Sequence, residues 1–149
     1  MEPKVILLVE DNPDDEALTL RALKKNNVVN KVVVKRDGAE ALDYLLNSHG
    51  VEGEGTDILP ALVLLDLKLP KVDGLEVLRR LRTDPRTQYL PVVVLTSSNE
   101  QRDIVESYQL GTNSYVRKPV DFNQFVEVVK QLGLYWLGLN VAPQMDWRR

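Results

Sequence analysis

Leu62-Val63-Leu64-Leu65-Asp66 is an apolar run stopped by an acid, and its reading decides the fold. No polar residue alternates through it, so it suits a strand buried on both faces, as in a parallel sheet covered by helices. Other runs share this form. Val5-Ile6-Leu7-Leu8-Val9 ends in Glu10-Asp11, Val92-Val93-Val94-Leu95 ends in Thr96, and Tyr115-Val116-Arg117 leads into Lys118-Pro119. Acid, acid, hydroxyl and amine thus arrive at or just past the C-terminal ends of separate strands. Parallel α/β sheets build their sites at that edge, so these side chains are expected to converge. Carboxylates gathered from Glu10, Asp11 and Asp66 repel one another, which favours a divalent cation between them; hard oxygens suit Mg²⁺.

Strands near 4–9, 32–35, 61–66, 91–95 and 114–117 alternate with helical patterns near 13–26, 38–47, 74–83, 99–109 and 121–137. Each parallel crossover needs a helix, so the expectation is an α/β fold of βα units in a doubly wound five-stranded parallel sheet. In the strand order 2-1-3-4-5, strands 1 and 3 are neighbours where the chain reverses, and the crevice there receives Glu10, Asp11 and Asp66. Helix starts agree with the runs. Asn12 precedes Pro13, and Asp37/Glu40, Asp73/Glu76, Ser98/Gln101 and Asp121/Gln124 have capping-box spacing. Gly111 and Asp84-Pro85 read as helix stops.

Bland readings cover several conspicuous residues. Asp14, Asp15 and Glu16 are expected simply to stabilise a helix N-terminus through its dipole. Arg79, Arg80 and Arg82 read as a solvated face. The Gly- and Glu-rich stretch 49–60 reads as an exposed loop, and His49 within it has no second His or Cys with which to form a zinc set.

At 149 residues the chain has room for one domain with a real core. A net charge of −3 gives no reason to expect nucleic-acid binding. The absence of cysteine excludes disulfides, thiolate metal sites and cysteine nucleophiles. The start Met1-Glu2-Pro3-Lys4 lacks the pattern of a secretory signal, and no apolar run approaches the roughly 20 residues of a membrane span. A soluble, cytoplasmic protein is expected, with no membrane partner.

The set Glu10-Asp11, Asp66, Thr96 and Lys118-Pro119 resembles the receiver domain of two-component response regulators over about residues 4 to 135. The segment DLKLPKVDG, with Pro70 four residues after Asp66 and Asp73-Gly74 following, adds to the likeness. The opening VEDNPDDE is most similar to receivers that stand alone and partner with phytochrome-type histidine kinases. The resemblance implies a flavodoxin-like receiver fold over 1–138, a C-terminal tail over 139–149, and no output domain.

It also implies roles. Asp66 is the expected acceptor of a phosphoryl group from a phosphohistidine of a sensor histidine kinase. Asp11, Glu10 and the Lys68 backbone carbonyl are expected to hold Mg²⁺ with Asp66. Lys118 pairs with phosphoryl oxygens and Thr96 bonds them through its hydroxyl. Thr96 and Tyr115 occupy the family's switch positions, coupling phosphorylation to the face formed by helix 4, strand 5 and helix 5. Lys68 and Ser98 stand where the family tunes phosphate lifetime, and the Lys118–Pro119 bond is expected to be cis.

Other functions fit less well. An aspartate-nucleophile phosphohydrolase usually carries a second acid where Lys68 stands. A nucleotide-binding flavodoxin-like protein needs a phosphate loop after strand 1, where Asp11-Asn12-Pro13-Asp14-Asp15 would repel phosphate. An interaction module that has lost phosphorylation would not need the intact acceptor set.

The C-terminus carries Phe125, Val128, Val129, Leu132, Tyr135, Trp136 and Leu139 at helical core spacing, with Leu134 and Leu137 on other faces. This excess either folds over the domain's own core or forms a homodimer surface with helix 5, and the amount of apolar area tilts the expectation to a dimer.

Overall fold

In the computed structural model, which describes residues 4–28, 30–47, 59–119 and 121–143, the apolar runs become strands of one parallel sheet. These are β1 (Val5–Val9), β2 (Lys31–Lys35), β3 (Leu62–Leu65), β4 (Val92–Thr96) and β5 (Ser114–Arg117). The five lie in the order β2-β1-β3-β4-β5, as expected. Between them run α1 (Pro13–Lys25), α2 (Gly38–Leu42), α3 (Gly74–Thr83), α4 (Gln101–Gln109) and α5 (Phe122–Gly133). Two helices widen at their ends into π-helical turns, α2 over Asp43–Asn47 and α5 over Leu134–Leu139. Most of the stretch expected to be an exposed loop, His49 included, lies outside the described residues.

Successive side chains of a strand point to opposite faces, and here both faces are covered. Leu7, Val9, Val63, Leu65 and Val92 pack with Ala41, Leu42, Leu45, Val77, Leu78 and Leu81 of the α2–α3 layer. Ile6, Leu8, Leu62, Leu64, Val93 and Leu95 pack with Ala22, Leu23, Phe125 and Val129 of the α1–α5 layer. Each buried Val, Leu, Ile or Phe side chain among these contributes about 1.5–3 kcal/mol. α4 is the exception: Ser107 is its one buried residue, and Val105 and Tyr108 are exposed.

The helix starts follow the capping pattern at four of five places. Asn12, Asp37, Asp73 and Asp121 each accept backbone N–H groups of their first turns. The fifth pair, Ser98/Gln101, does not form. α4 begins two residues later than its pattern suggested, at Gln101, and Glu100 supplies no side-chain cap. Asp84 before Pro85 is extended at the end of α3, because the proline ring disfavours a helical conformation there. Gly111, at φ +95°, turns the chain after α4.

Arg82 is not part of a solvated face. Its half-buried guanidinium donates to the carbonyls of Gly111, Thr87 and Gln88 and to Asn113 Oδ1, bracing the α3–β4 loop against the α4–β5 loop.

The C-terminus folds over the domain's own core in part. Trp136 and Leu137 pack against the α1–α5 layer. Leu134, Tyr135, Leu139 and Val141 remain exposed, Leu139 at 72%.

Candidate functional site

The β1–β3 register sets Val9 beside Leu65, so Glu10 and Asp66 leave the sheet side by side. Their amides continue the ladder: Asp66 N donates to Val9 O at 3.1 Å and Glu10 N to Lys35 O at 3.0 Å. On the other side of β3, Thr96 ends β4, and Lys118 N donates to the Thr96 carbonyl at 2.7 Å. Backbone bonding therefore fixes the roots of all four side chains before any of them touches another.

Gly74 completes the frame. Its N–H donates to Leu67 O at 2.8 Å, and a Cβ at this position would stand 2.3 Å from the Asp66 carbonyl oxygen and 2.6 Å from Leu67 Cα. Only a residue without a side chain lets α3 approach the end of β3 this closely.

The side chains converge on Asp66. Thr96 Oγ1 donates to Asp66 Oδ1 at 2.8 Å, and Lys68 N approaches the same oxygen at 3.3 Å. Lys118 Nζ donates to Asp66 Oδ2 at 3.2 Å, to Glu10 Oε1 at 2.6 Å and to Asp15 Oδ2 at 3.0 Å. The carboxylates of Glu10, Asp15 and Asp66 offer oxygens within 4.8 Å of one another.

Asp15, not Asp11, supplies the third carboxylate of this cluster. Asn12 turns the chain to cap α1, its own N–H donating to Glu10 Oε2 at 3.2 Å, and the Asp11 side chain is left exposed, outside the converging set. Asp15 lies one helical turn further on. Helical side chains lean toward the N-terminus of their helix, which aims Asp15 back at the strand ends. That lean, together with the four-residue spacing from Asp11, was a usable signal.

One ammonium does not balance this cluster. Burial pushes the Glu10 carboxyl up, and the Asp66 charge adds to that. The hydrogen bond and charge of Lys118 oppose them, and Glu10 comes to rest raised from 4.5 to about 7. For Lys118, burial disfavours the charged form, but the Glu10 hydrogen bond and the carboxylate charges outweigh it and raise the ammonium above its usual range. Lys118 thus stays cationic while the carboxylates around it remain under-compensated, and such a set of hard oxygens fits a divalent cation.

The outer residues are placed as follows. Tyr115 OH donates to the Ser98 carbonyl at 2.9 Å, and burial, the largest cause, holds its hydroxyl above the ordinary value, so it remains a donor. Ser98 is buried, and its hydroxyl donates to Asp103 Oδ2 of α4. The Lys68 side chain is exposed. Among the described residues no peptide bond is cis, so the cis Lys118–Pro119 bond is not found. An X–Pro bond prefers trans by about 0.5–1 kcal/mol, and Lys118 already reaches all its partners without the isomer.

Residues 6–130 match the response regulator receiver domain. The chain belongs to this family. Receivers are modules of two-component signalling whose general mechanism is phosphorylation by a sensor kinase. The probable methanogenesis regulatory protein FilR2 of Methanothrix harundinacea is 42% identical over 142 residues, covering 95% of this receiver and 89% of FilR2. Response regulator Rcp1 of Synechocystis sp. is 38% identical over 141 residues, covering 95% and 94% of the two chains. The crystal structure of the phosphorylated cyanobacterial phytochrome response regulator RcpA matches with a TM-score of 0.86 at 40% identity, over 96% of this receiver and all (100%) of that chain. The Mn²⁺-bound form of Rcp1 matches with a TM-score of 0.83 at 37% identity, over 95% and 100% of the chains. A divalent ion in that relative agrees with the donor chemistry of Glu10, Asp15 and Asp66. No helix among the described residues is long and apolar enough to cross a membrane.

Proposed function

We propose that Asp66 is the phosphoryl acceptor of this receiver, that the donor is the phosphohistidine of a phytochrome-type sensor histidine kinase, and that Thr96 and Tyr115 report the transfer to the α4–β5–α5 face. One observation carries the reading: a single carboxylate, Asp66, is held at once by the Thr96 hydroxyl at 2.8 Å and the Lys118 ammonium at 3.2 Å, among further carboxylates.

In the transfer an Asp66 carboxylate oxygen forms a bond to phosphorus. The N–P bond of the phosphohistidine breaks, and its electron pair returns to the imidazole nitrogen. Glu10, Asp66 and Asp15 would hold Mg²⁺, joined by Asp11 from its exposed position and by the Lys68 carbonyl. The ion, when bound, supplies charge neutralisation for the incoming phosphoryl oxygens. Lys118 Nζ pairs with one of those oxygens, and the Thr96 Oγ1 hydroxyl, keeping its proton, turns its hydrogen bond from Asp66 Oδ1 to another. Thr96 and Tyr115 both face inward already, so the phosphoryl group would act by stabilising this arrangement over others, as population shift requires.

The protein acts by contact and not by turnover. Lys68, exposed where a phosphohydrolase carries an acid, supports that view. The exposed Leu134, Tyr135 and Leu139 beside α5 support a homodimer formed through the α4–β5–α5 face and the C-terminal segment. The phytochrome-type donor follows the likeness to RcpA. Incubation with candidate kinases and radiolabelled ATP tests the reading. Label should pass to the wild type and not to Asp66→Asn. Equal labelling of both would remove Asp66 as acceptor.

A further inference from the structure

We propose that Asp103 is a positioning residue of the phosphoryl site, acting through Ser98 to hold the β4–α4 loop in the form that presents the Thr96 hydroxyl. The proposal rests on the reading of Asp66 and Thr96 given above. Ser98 is the junction. Its N–H approaches Thr96 Oγ1 at 3.4 Å, its carbonyl accepts from Tyr115 OH at 2.9 Å, and its hydroxyl accepts from Glu100 N at 3.3 Å. The one proton of that hydroxyl goes to Asp103 Oδ2. Thr96 Oγ1 in turn donates to Asp66. A single hydrogen-bonded path therefore runs from the acceptor carboxylate to the first turn of α4.

Two features make the Asp103 end of this path matter. α4 buries only Ser107 and has no side-chain cap at Glu100, so apolar packing does little to fix its start. Polar bonds must do it. Asp103 itself is held, because buried Ser107 donates its hydroxyl to the Asp103 carbonyl at 2.7 Å. The acceptor for Ser98 is thus anchored in the helix, and a hydroxyl-to-carboxylate bond is about twice as strong as a neutral one.

Without that acceptor the Ser98 hydroxyl can rotate, and the loop between Thr96 and Gln101 loses its tie to the helix. The Thr96 hydroxyl is then less well aimed at arriving phosphoryl oxygens. The carboxylate cluster is untouched, because neither Ser98 nor Asp103 belongs to it.

The test is a titration of the full chain with beryllofluoride in saturating Mg²⁺, beside a titration with Mg²⁺ alone, each by isothermal calorimetry. Asp103→Ala and Ser98→Ala should each weaken beryllofluoride binding by roughly threefold to tenfold, the range of one hydrogen bond. The double variant should be no weaker than Ser98→Ala alone, since Asp103 acts only through that hydroxyl. Asp103→Asn keeps an acceptor oxygen and should restore most of the affinity. Mg²⁺ affinity should stay at the wild-type level throughout. A helix-stabilising role alone would lower the melting temperature and leave these affinities unmoved. Wild-type beryllofluoride affinity in Asp103→Ala, or losses that multiply in the double variant, would overturn the proposal. Should Asp103→Ala not fold, Ser98→Ala and Asp103→Asn decide it. If the wild type itself takes up Mg²⁺ but no beryllofluoride, it is the phosphoryl-site reading that fails.

Discussion

Gly74→Ala should damage both the fold and the site, and the structure sets the size of the effect. The added Cβ would stand 2.3 Å from Asp66 O and 2.6 Å from Leu67 Cα, both backbone atoms. Carbon contacts are comfortable near 3.5–4.0 Å, so α3 must retreat by about 1 Å. Forced repacking of that kind costs about 1–3 kcal/mol. The Gly74 N–H to Leu67 O bond, 2.8 Å long, is strained or lost, adding about 0.5–1.5 kcal/mol. Better helix propensity returns at most about 1 kcal/mol. At the midpoints, about 2 and 1 kcal/mol lost against about 0.5 returned, the net loss is about 2.5 kcal/mol, which for a chain of this size lowers Tm by about 5–10 °C. Gly133→Ala is the control. Its Cβ would meet only Val28 Cγ2, at 3.7 Å, and its φ of −64° and ψ of −45° are helical, so Tm should rise slightly. Circular-dichroism melts of both variants make the comparison. Because the clash falls on the Asp66 backbone, Mg²⁺ affinity of folded Gly74→Ala should also fall, which simple destabilisation would not cause. A Gly74→Ala melt within 2 °C of wild type, with intact Mg²⁺ affinity, would refute the claim that close approach of α3 positions Asp66.

Three further outcomes follow from the same geometry. Glu10 is raised from 4.5 to about 7 by burial, so between those values the folded protein holds a proton that the unfolded chain has released. Cation-free stability should therefore fall as pH rises through that window, while Mg²⁺, which competes with the proton, should bind more tightly up to about pH 7 and then level off. Melts and Mg²⁺ titrations across pH should show both trends, and Glu10→Gln should flatten them; a flat wild-type profile counts against the assignment. Asp11→Asn and Asp15→Asn separate the two acids of the β1–α1 turn. If Asp11 is recruited as a ligand, its variant should lose about tenfold or more in Mg²⁺ affinity, and a wild-type value would leave Asp15 in that role. Lys68→Ala should change the autodephosphorylation rate of the labelled protein, and an unaltered decay would remove Lys68 from the mechanism.

Much of this arrangement could be read from residue order because it depends on strand ends. An apolar run buried on both faces can end only where the sheet does, so Glu10, Asp66 and Thr96 were placed by the lengths of Val5–Val9, Leu62–Leu65 and Val92–Thr96. Capping at Asn12, Asp37, Asp73 and Asp121 was equally local, since a side chain and an amide two or three residues on need no tertiary context. What escaped was three-dimensional. Asp15 looks like any acid in a first helical turn until α1 is set against the end of β1, whereupon it faces Lys118 at 3.0 Å. The guanidinium of Arg82 spans loops that adjoin only in the fold. The π-helical turns at Asp43–Asn47 and Leu134–Leu139 also lay outside the reading.

Ser98 shows why such errors fall at the site. The Ser98/Gln101 spacing points to an ordinary cap, yet the Ser98 hydroxyl donates to Asp103 and accepts from Glu100 N, and α4 starts without a side-chain cap at Glu100. A helix anchored by a large apolar face could leave its first turn to a routine cap. α4, with one buried residue, is held by polar bonds that lead back through Thr96 to Asp66. A loosely packed helix tied by hydrogen bonds to the proposed acceptor carboxylate is an element whose position a change of charge at that carboxylate would alter at small cost. Departure from the local capping rule and capacity to signal therefore have a common cause: the weak burial of α4.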